Sequence, residues 1–129
     1  MAEYGMHRDL STDYDETVQR VRDELAKEGF GVLTEIDVKA TLKKKIDVDF
    51  GRYIILGACN PPLAHRALTA EPSIGVMLPC NVVVHEREGG GSTVIAFDPM
   101  ELFPQGGEGD LAAVAEEVQG RLRKVIEAL

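Results

Sequence analysis

Tryptophan is absent from this chain of 129 residues, and aromatic residues amount to only 5%. A platform for stacking bases or sugars is therefore poorly supplied. The chain has two cysteines, too few for a disulfide framework, and their separation matches neither a Cys-x-x-Cys redox motif nor a zinc knuckle. No apolar run approaches the roughly 18 residues of a membrane span. Positive charge is scarce, with 14 Lys and Arg against 22 Asp and Glu for a net charge of −8. Such a surface repels phosphate backbones and anionic lipid, which argues against nucleic-acid and membrane partners. Residues Met1-Ala2-Glu3-Tyr4-Gly5 show no basic region followed by an apolar segment. A signal peptide is not expected, a cytoplasmic location is, and the thiols are expected to be reduced.

What is present fits one domain spanning residues 1–129, with hydrophobic residues at 44% and charged residues at 28%. A strand is expected from about Glu3 to Asp9. Asp13 and Glu16 read as a capping box opening a helix whose inner stripe is Val18, Val21 and Leu25, stopped at Gly29. Phe30 to Asp37 alternates as a strand, with Phe30, Val32, Thr34 and Ile36 on one side. A short helix follows from Val38 to Ile46, with Val38, Leu42 and Ile46 on one face. Tyr53-Ile54-Ile55-Leu56 is apolar on both faces, as in a central strand. Asn60 caps a helix beginning at Pro61, with Leu63, Ala64, Ala67 and Leu68 inward and Glu71-Pro72 at its end. Val82–His85 and Thr93–Phe97 flank a glycine turn and form a hairpin. A Gly-rich loop from Pro104 to Gly109 precedes Asp110, read as the cap of a long final helix with Leu111, Val114, Ala115, Val118, Leu122, Val125 and Leu129 as its stripe. The order is β-α-β-α-β-α-β-β-α. One mostly antiparallel sheet with helices on one face buries every stripe, which makes this an α+β domain.

The chemistry-bearing residues centre on a repeated dipeptide, Cys59-Asn60 and Cys80-Asn81, each placed where an apolar run meets a turn signal. Cys59 ends a strand and precedes a helix N-terminus, where free N–H groups and the helix dipole stabilise a thiolate. The alternative is a small hydrophobe packed at a strand end. Cys80 gains interest only beside Cys59; a disulfide, a shared soft metal and two separate buried thiols all remain open. His65 on the following helix could complete a Cys/His site, or else point to solvent from the rim. His85 alternates away from Cys80, and His7 has no identifiable partner. Asn60 reads as a helix cap, and Asn81 needs a side-chain hydrogen bond in a strand, with the loop around Cys59 suiting both. Lys39, Lys43, Lys44 and Lys45 form the one basic cluster. They could hold a small anion at a pocket mouth, or form a solvated helix face. Gly89-Gly90-Gly91 lacks the strand-to-helix context of a phosphate loop and reads as a turn.

The runs Glu28–Leu42, Tyr53–Pro61, Ala67-Leu68, Glu71-Pro72 and Leu78–Val84, with both Cys-Asn pairs, resemble the domain-of-unknown-function 302 family across nearly the whole chain. The resemblance implies a small α+β domain laid out like TATA-box-binding-protein-like folds, commonly a homodimer, with no established activity or catalytic residues to carry over. DNA binding does not follow from that layout, because function resides in sites and this surface is acidic. Two main readings result. In one, a Cys59/Cys80 pocket, with Asn60, Asn81, Lys39 and His65 as further candidates, binds a small ligand, a soft metal or a sulfur species. In the other, the chain is a structural or interaction module that dimerises through its sheet, with the cysteines as core. A thiol redox or sulfur-transfer enzyme is the lesser third reading.

Overall fold

The computed structural model describes residues 4–103 and 107–129. The elements run β1 (Met6–Leu10), α1 (Tyr14–Lys27), β2 (Gly31–Asp37), α2 (Val38–Ile46), β3 (Tyr53–Cys59), α3 (Pro61–Ala70), β4 (Cys80–Glu86), β5 (Ser92–Ala96) and α4 (Gly109–Ala128). This is the expected order. Two 3₁₀ segments, Pro72–Met77 and Pro99–Leu102, fall where the sequence pattern predicts only connections. Glu3, expected to open the first strand, and residues 104–106 of the expected loop lie outside the described residues.

All strand pairings are antiparallel, in the order β1-β5-β4-β3-β2. Side chains alternate across the sheet. Leu56, Ala58, Val82, Val84, Val94 and Ala96 share one face and are buried with Val21 and Leu25 of α1, Leu63 of α3, and Val118, Leu122 and Val125 of α4. The α+β class with one antiparallel sheet therefore stands as expected.

Local chemistry explains where the helices start and stop. The Asp13 side chain accepts from Glu16 N–H at 2.8 Å, satisfying one of the free donors of the α1 N-terminus. Gly29, at φ +83°, then turns the chain into β2. The buried residues of α1 are Thr17, Val21 and Leu25, with Val18 half-buried. Thr17 escapes a purely apolar reading because its hydroxyl donates to Thr12 O, 3.3 Å away, and so can be buried. At the far end of the chain, Arg8 Nη1 donates to Ile126 O and Glu127 O at 2.9 and 2.8 Å, tying β1 to the last turn of α4.

Four local expectations are corrected. The β2–β3 register shifts between Val32 and Thr34, so the extra residue there moves Thr34 and Ile36 off the face of Val32 and breaks the simple alternation. Helix α2 buries none of its residues, and Ile46 is 63% exposed, so the expected inner face Val38-Leu42-Ile46 is not a core face. Leu68, expected inward on α3, is 39% exposed. Helix α4 has Glu108 at its cap position with no side-chain bond; Asp110 lies in the first turn and pairs with Arg66 of α3.

Gly57 of β3 is packed too closely for a side chain. A Cβ there would collide with Thr34 Oγ1 and lie 2.7 Å from Pro79 Cγ. Gly57→Ala is therefore expected to destabilise the fold by about 1–3 kcal/mol, read from the midpoint of urea unfolding. Gly120→Ala, with open space at the new methyl, is expected to stabilise by up to roughly 1 kcal/mol in the same titration.

Candidate functional site

The β3–α3 junction carries Cys59 and Asn60. Asn60 is buried, its Oδ1 accepts from Leu63 N–H at 3.3 Å, and its Nδ2 donates to Glu28 O at 3.4 Å. The same Glu28 carbonyl accepts from Arg121 Nη1 of α4 at 3.0 Å. Asn60 is thus the cap that the sequence predicts, and it also joins the end of α1 to the start of α3. Its hydrogen-bonding groups face the protein.

The helix terminus beside Cys59 offers a thiolate no free N–H group. Its first two residues, Pro61 and Pro62, have no N–H. Leu63 N–H goes to the Asn60 side chain, and Ala64 N–H goes to Asn60 O at 2.8 Å. The donors that would receive an anion are missing or taken. Burial accordingly pushes the Cys59 thiol up rather than down. Cys80 is more deeply buried, and burial, reinforced by the field of Cys59, pushes its thiol from 9.0 up to about 11. Both thiols are unpaired. Across the β3–β4 ladder Cys80 faces Ala58, so the two cysteines are one residue out of register and are not a facing pair.

Cys59 and Cys80 do line one cavity, of about 50 Å³, together with Ala58, Asn60, Leu63 and Val118. A second apolar cavity of about 50 Å³ lies against it, sharing Cys80, Ala67 and Leu78 and reaching Ile74 and Phe103. A typical cofactor or drug-sized ligand occupies roughly 300–1,000 Å³, several times this space. The remaining candidates lie elsewhere. His65 is exposed and is not part of the cavity wall. Asn81 is exposed on the opposite face of β4 from Cys80, and its backbone carbonyl accepts from Phe97 N–H; no side-chain bond to the loop around Cys59 forms among the described residues. Lys39 donates to Phe50 O at 2.9 Å, and Lys43 pairs with Asp47 and Asp49. The basic cluster is therefore partly neutralised by its own loop and stands apart from the cysteines. Among the described residues no group of three or more His, Cys, Asp or Glu side chains could hold a metal, and no helix is long and apolar enough to cross a membrane.

The other face of the sheet holds a grouping that the search for chemical motifs passes over. Ile95, Val83, Ile55 and Ile36 face one another in register across β5, β4, β3 and β2, with His7 at the β1 end. None of them belongs to the core. The next row is Asp9, Thr93, His85 and Tyr53. The available signal is the apolar character of Ile55, Val83 and Ile95 on strands whose alternate residues are already committed to the core.

The domain-of-unknown-function model DUF302 matches residues 6–129. The chain belongs to the DUF302 family. A crystal structure of an uncharacterized conserved DUF302 protein from Bacillus stearothermophilus is similar to it, with 32% sequence identity, 98% of each chain covered and a TM-score of 0.85. No curated protein matches the chain. DUF302 membership assigns no chemistry to the paired Cys-Asn motifs.

The raised thiols of this DUF302 domain make a signed prediction. The folded chain keeps a proton on Cys80 that the unfolded chain releases from about pH 9, so stability falls as pH rises from about 9 towards 11. The loss is on the order of 2 kcal/mol, and Cys80→Ala is expected to flatten it in urea titrations across that range. Iodoacetamide near neutral pH is expected to label both thiols slowly in the folded protein and rapidly in denaturant.

Proposed function

We propose that this domain works as a self-associating interaction module that pairs with a second copy through the second face of its sheet, with the cysteines serving as core. The observation that carries this reading is the row Ile95-Val83-Ile55-Ile36, with Ile36 47% exposed and the other three half-buried. It holds no Asp, Glu, Lys or Arg, on a chain of net charge −8. Two acidic copies repel one another least where neither presents charge, and interface centres are depleted of charge for the same reason. A two-fold axis brings the same row from each copy into contact, as a self-complementary patch requires. Strands about 4.8 Å apart and roughly 20 Å long give each copy a footprint on the order of 400 Å². Doubled and enlarged by side-chain relief, this approaches the lower end of specific interfaces, about 1,200 Å² in total.

A second reading rests on one observation, that both free thiols line the same small cavity. The guest that suits it is uncharged and has only a few heavy atoms. A metal ion would lack a third ligand among the described residues, and the protonated thiols disfavour sulfur transfer through a thiolate. Native mass spectrometry of anaerobically purified protein is expected to show added mass that is absent from Cys59→Ser/Cys80→Ser; bare subunit mass in both removes this reading.

Sedimentation equilibrium tests the first reading. Wild type is expected to dimerise, Ile36→Lys and Val83→Lys to weaken the dimer at least about tenfold, and Cys59→Ser/Cys80→Ser to leave it unchanged. Ile36 is already exposed, so its variant keeps the test valid if Val83→Lys misfolds. A monomeric wild type at high micromolar concentration, or dimers indifferent to both lysines, would overturn it.

A further inference from the structure

We propose that protonation of His85, assisted by His7, releases the pairing of two copies across this sheet face. The inference rests on the self-association reading and concerns its regulation.

His85 lies in the middle of the face, on β4, in register with Tyr53 of β3 and Thr93 of β5. The Tyr53 ring stacks on its imidazole, with centroids 5.4 Å apart and planes within 6°. Phe50 sits beside Tyr53, with ring centroids 6.1 Å apart. His85 Nδ1 is 3.0 Å from the Glu86 carbonyl oxygen. In the neutral ring that contact places the proton on Nδ1 and leaves Nε2 with a lone pair. A proton arriving at Nε2 converts the half-buried ring into a cation beside the apolar row. His7 occupies the β1 end of that row, opposite Ile95.

Around His7, Arg8, Asp98, Arg123 and Glu127 line the same open cavity at the end of β1; among the described residues, the charged groups nearer His85 are four. Asp9 of β1 accepts from the Thr93 hydroxyl at 2.7 Å, and that bond holds its carboxyl below the ordinary range. Arg87, beyond the end of β4, reaches Asp9 at 3.8 Å. Glu86 and Arg52 pair with each other on the other side of β4. With the imidazoles neutral, the Asp9 and Arg87 charges cancel and the face is electrically balanced. With both protonated, each copy adds two positive charges to the face that the pairing buries. Asp9 lies two strands from His85, about 10 Å at ordinary strand spacing, and two residues from His7 on the same face of β1, and its carboxylate feels both imidazoles. One carboxylate already shared with Arg87 does not neutralise two imidazoliums, and burying the surplus charge is costly, so protonation favours separate copies.

Sedimentation velocity at several concentrations tests this between about pH 7.5 and 5.5. The wild-type dimer is expected to weaken at least tenfold on acidification, as four imidazoles per dimer come to compete with association. His85→Gln is expected to remove most of that dependence, and His7→Gln/His85→Gln nearly all of it. If His85→Gln fails to fold, the NMR titration of the His85 ring protons in the wild type supplies the readout: the midpoint is expected to move to lower pH as protein concentration rises. A dimer whose affinity ignores pH, an unchanged pH dependence in the double variant, or a midpoint independent of concentration overturns this inference alone. A protein monomeric at every pH overturns the self-association reading and this one with it.

Discussion

The helical side of the sheet depends on one carboxamide. Asn60 closes the N-terminus of α3 with its oxygen and holds the last carbonyl of α1 with its nitrogen, and Arg121 of α4 reaches that same carbonyl. Three helices distant in sequence meet there at backbone atoms that would otherwise be unsatisfied. Capping bonds of this kind contribute about 1 kcal/mol each. Their larger effect is geometric, because they fix where α3 sits over β3 and β4 and so how much space remains beneath it. A Cβ on Gly29 would come within 3.0 Å of Asn60 Nδ2, at a backbone angle that side chains rarely adopt. The clamp therefore also requires a glycine at the α1 terminus.

This constraint changes the meaning of the repeated Cys-Asn motif. One member of each pair contributes packing or architecture on the core side: Asn60 holds the helices, and Cys80 fills the floor between two small cavities. The partners differ, since Cys59 lines the first cavity while Asn81 faces away from it. Equal spelling at the two strand ends thus produces unequal surroundings. The two prolines that follow Asn60 complete the contrast, because they remove the N–H donors that would make a helix start attractive to a thiolate.

Sequence patterns show most of the fold here and little of the site. Element order, the caps at Asp13 and Asn60, the stop at Gly29 and the glycine turn of the hairpin follow from local chemistry, which a single chain displays directly. The β2 bulge does not, because it is a property of pairing with β3 and leaves no mark in the alternation of Val32 to Ile36. Helix α2 has the spacing of an inward stripe but no core opposite it; periodicity reports which residues share a face and says nothing of what lies against that face. Which of the two readings of Cys59 holds depends on Pro62 as well as Pro61, because the second proline removes a second donor from the helix start. Proximity of Lys39 and His65 to the cysteines likewise cannot be read from spacing, since it depends on how α2 and α3 are carried by their strands. The apolar row on the second face was visible residue by residue, but the two-sided hydrophobicity of Tyr53–Leu56 was assigned to burial within one chain.

The bulge at the outer strand has a further effect. β2 is an edge strand, and its free backbone groups are a template on which another chain could continue the sheet. The register shift between Val32 and Thr34 twists that edge and spoils the even hydrogen-bond spacing an added strand would need. At the opposite edge, the Arg8 side chain ties β1 to the end of α4. Growth by strand addition is therefore discouraged at the bulged edge. Leu33, 66% exposed beside the bulge, is thereby kept from serving as the sticky margin of a fibril.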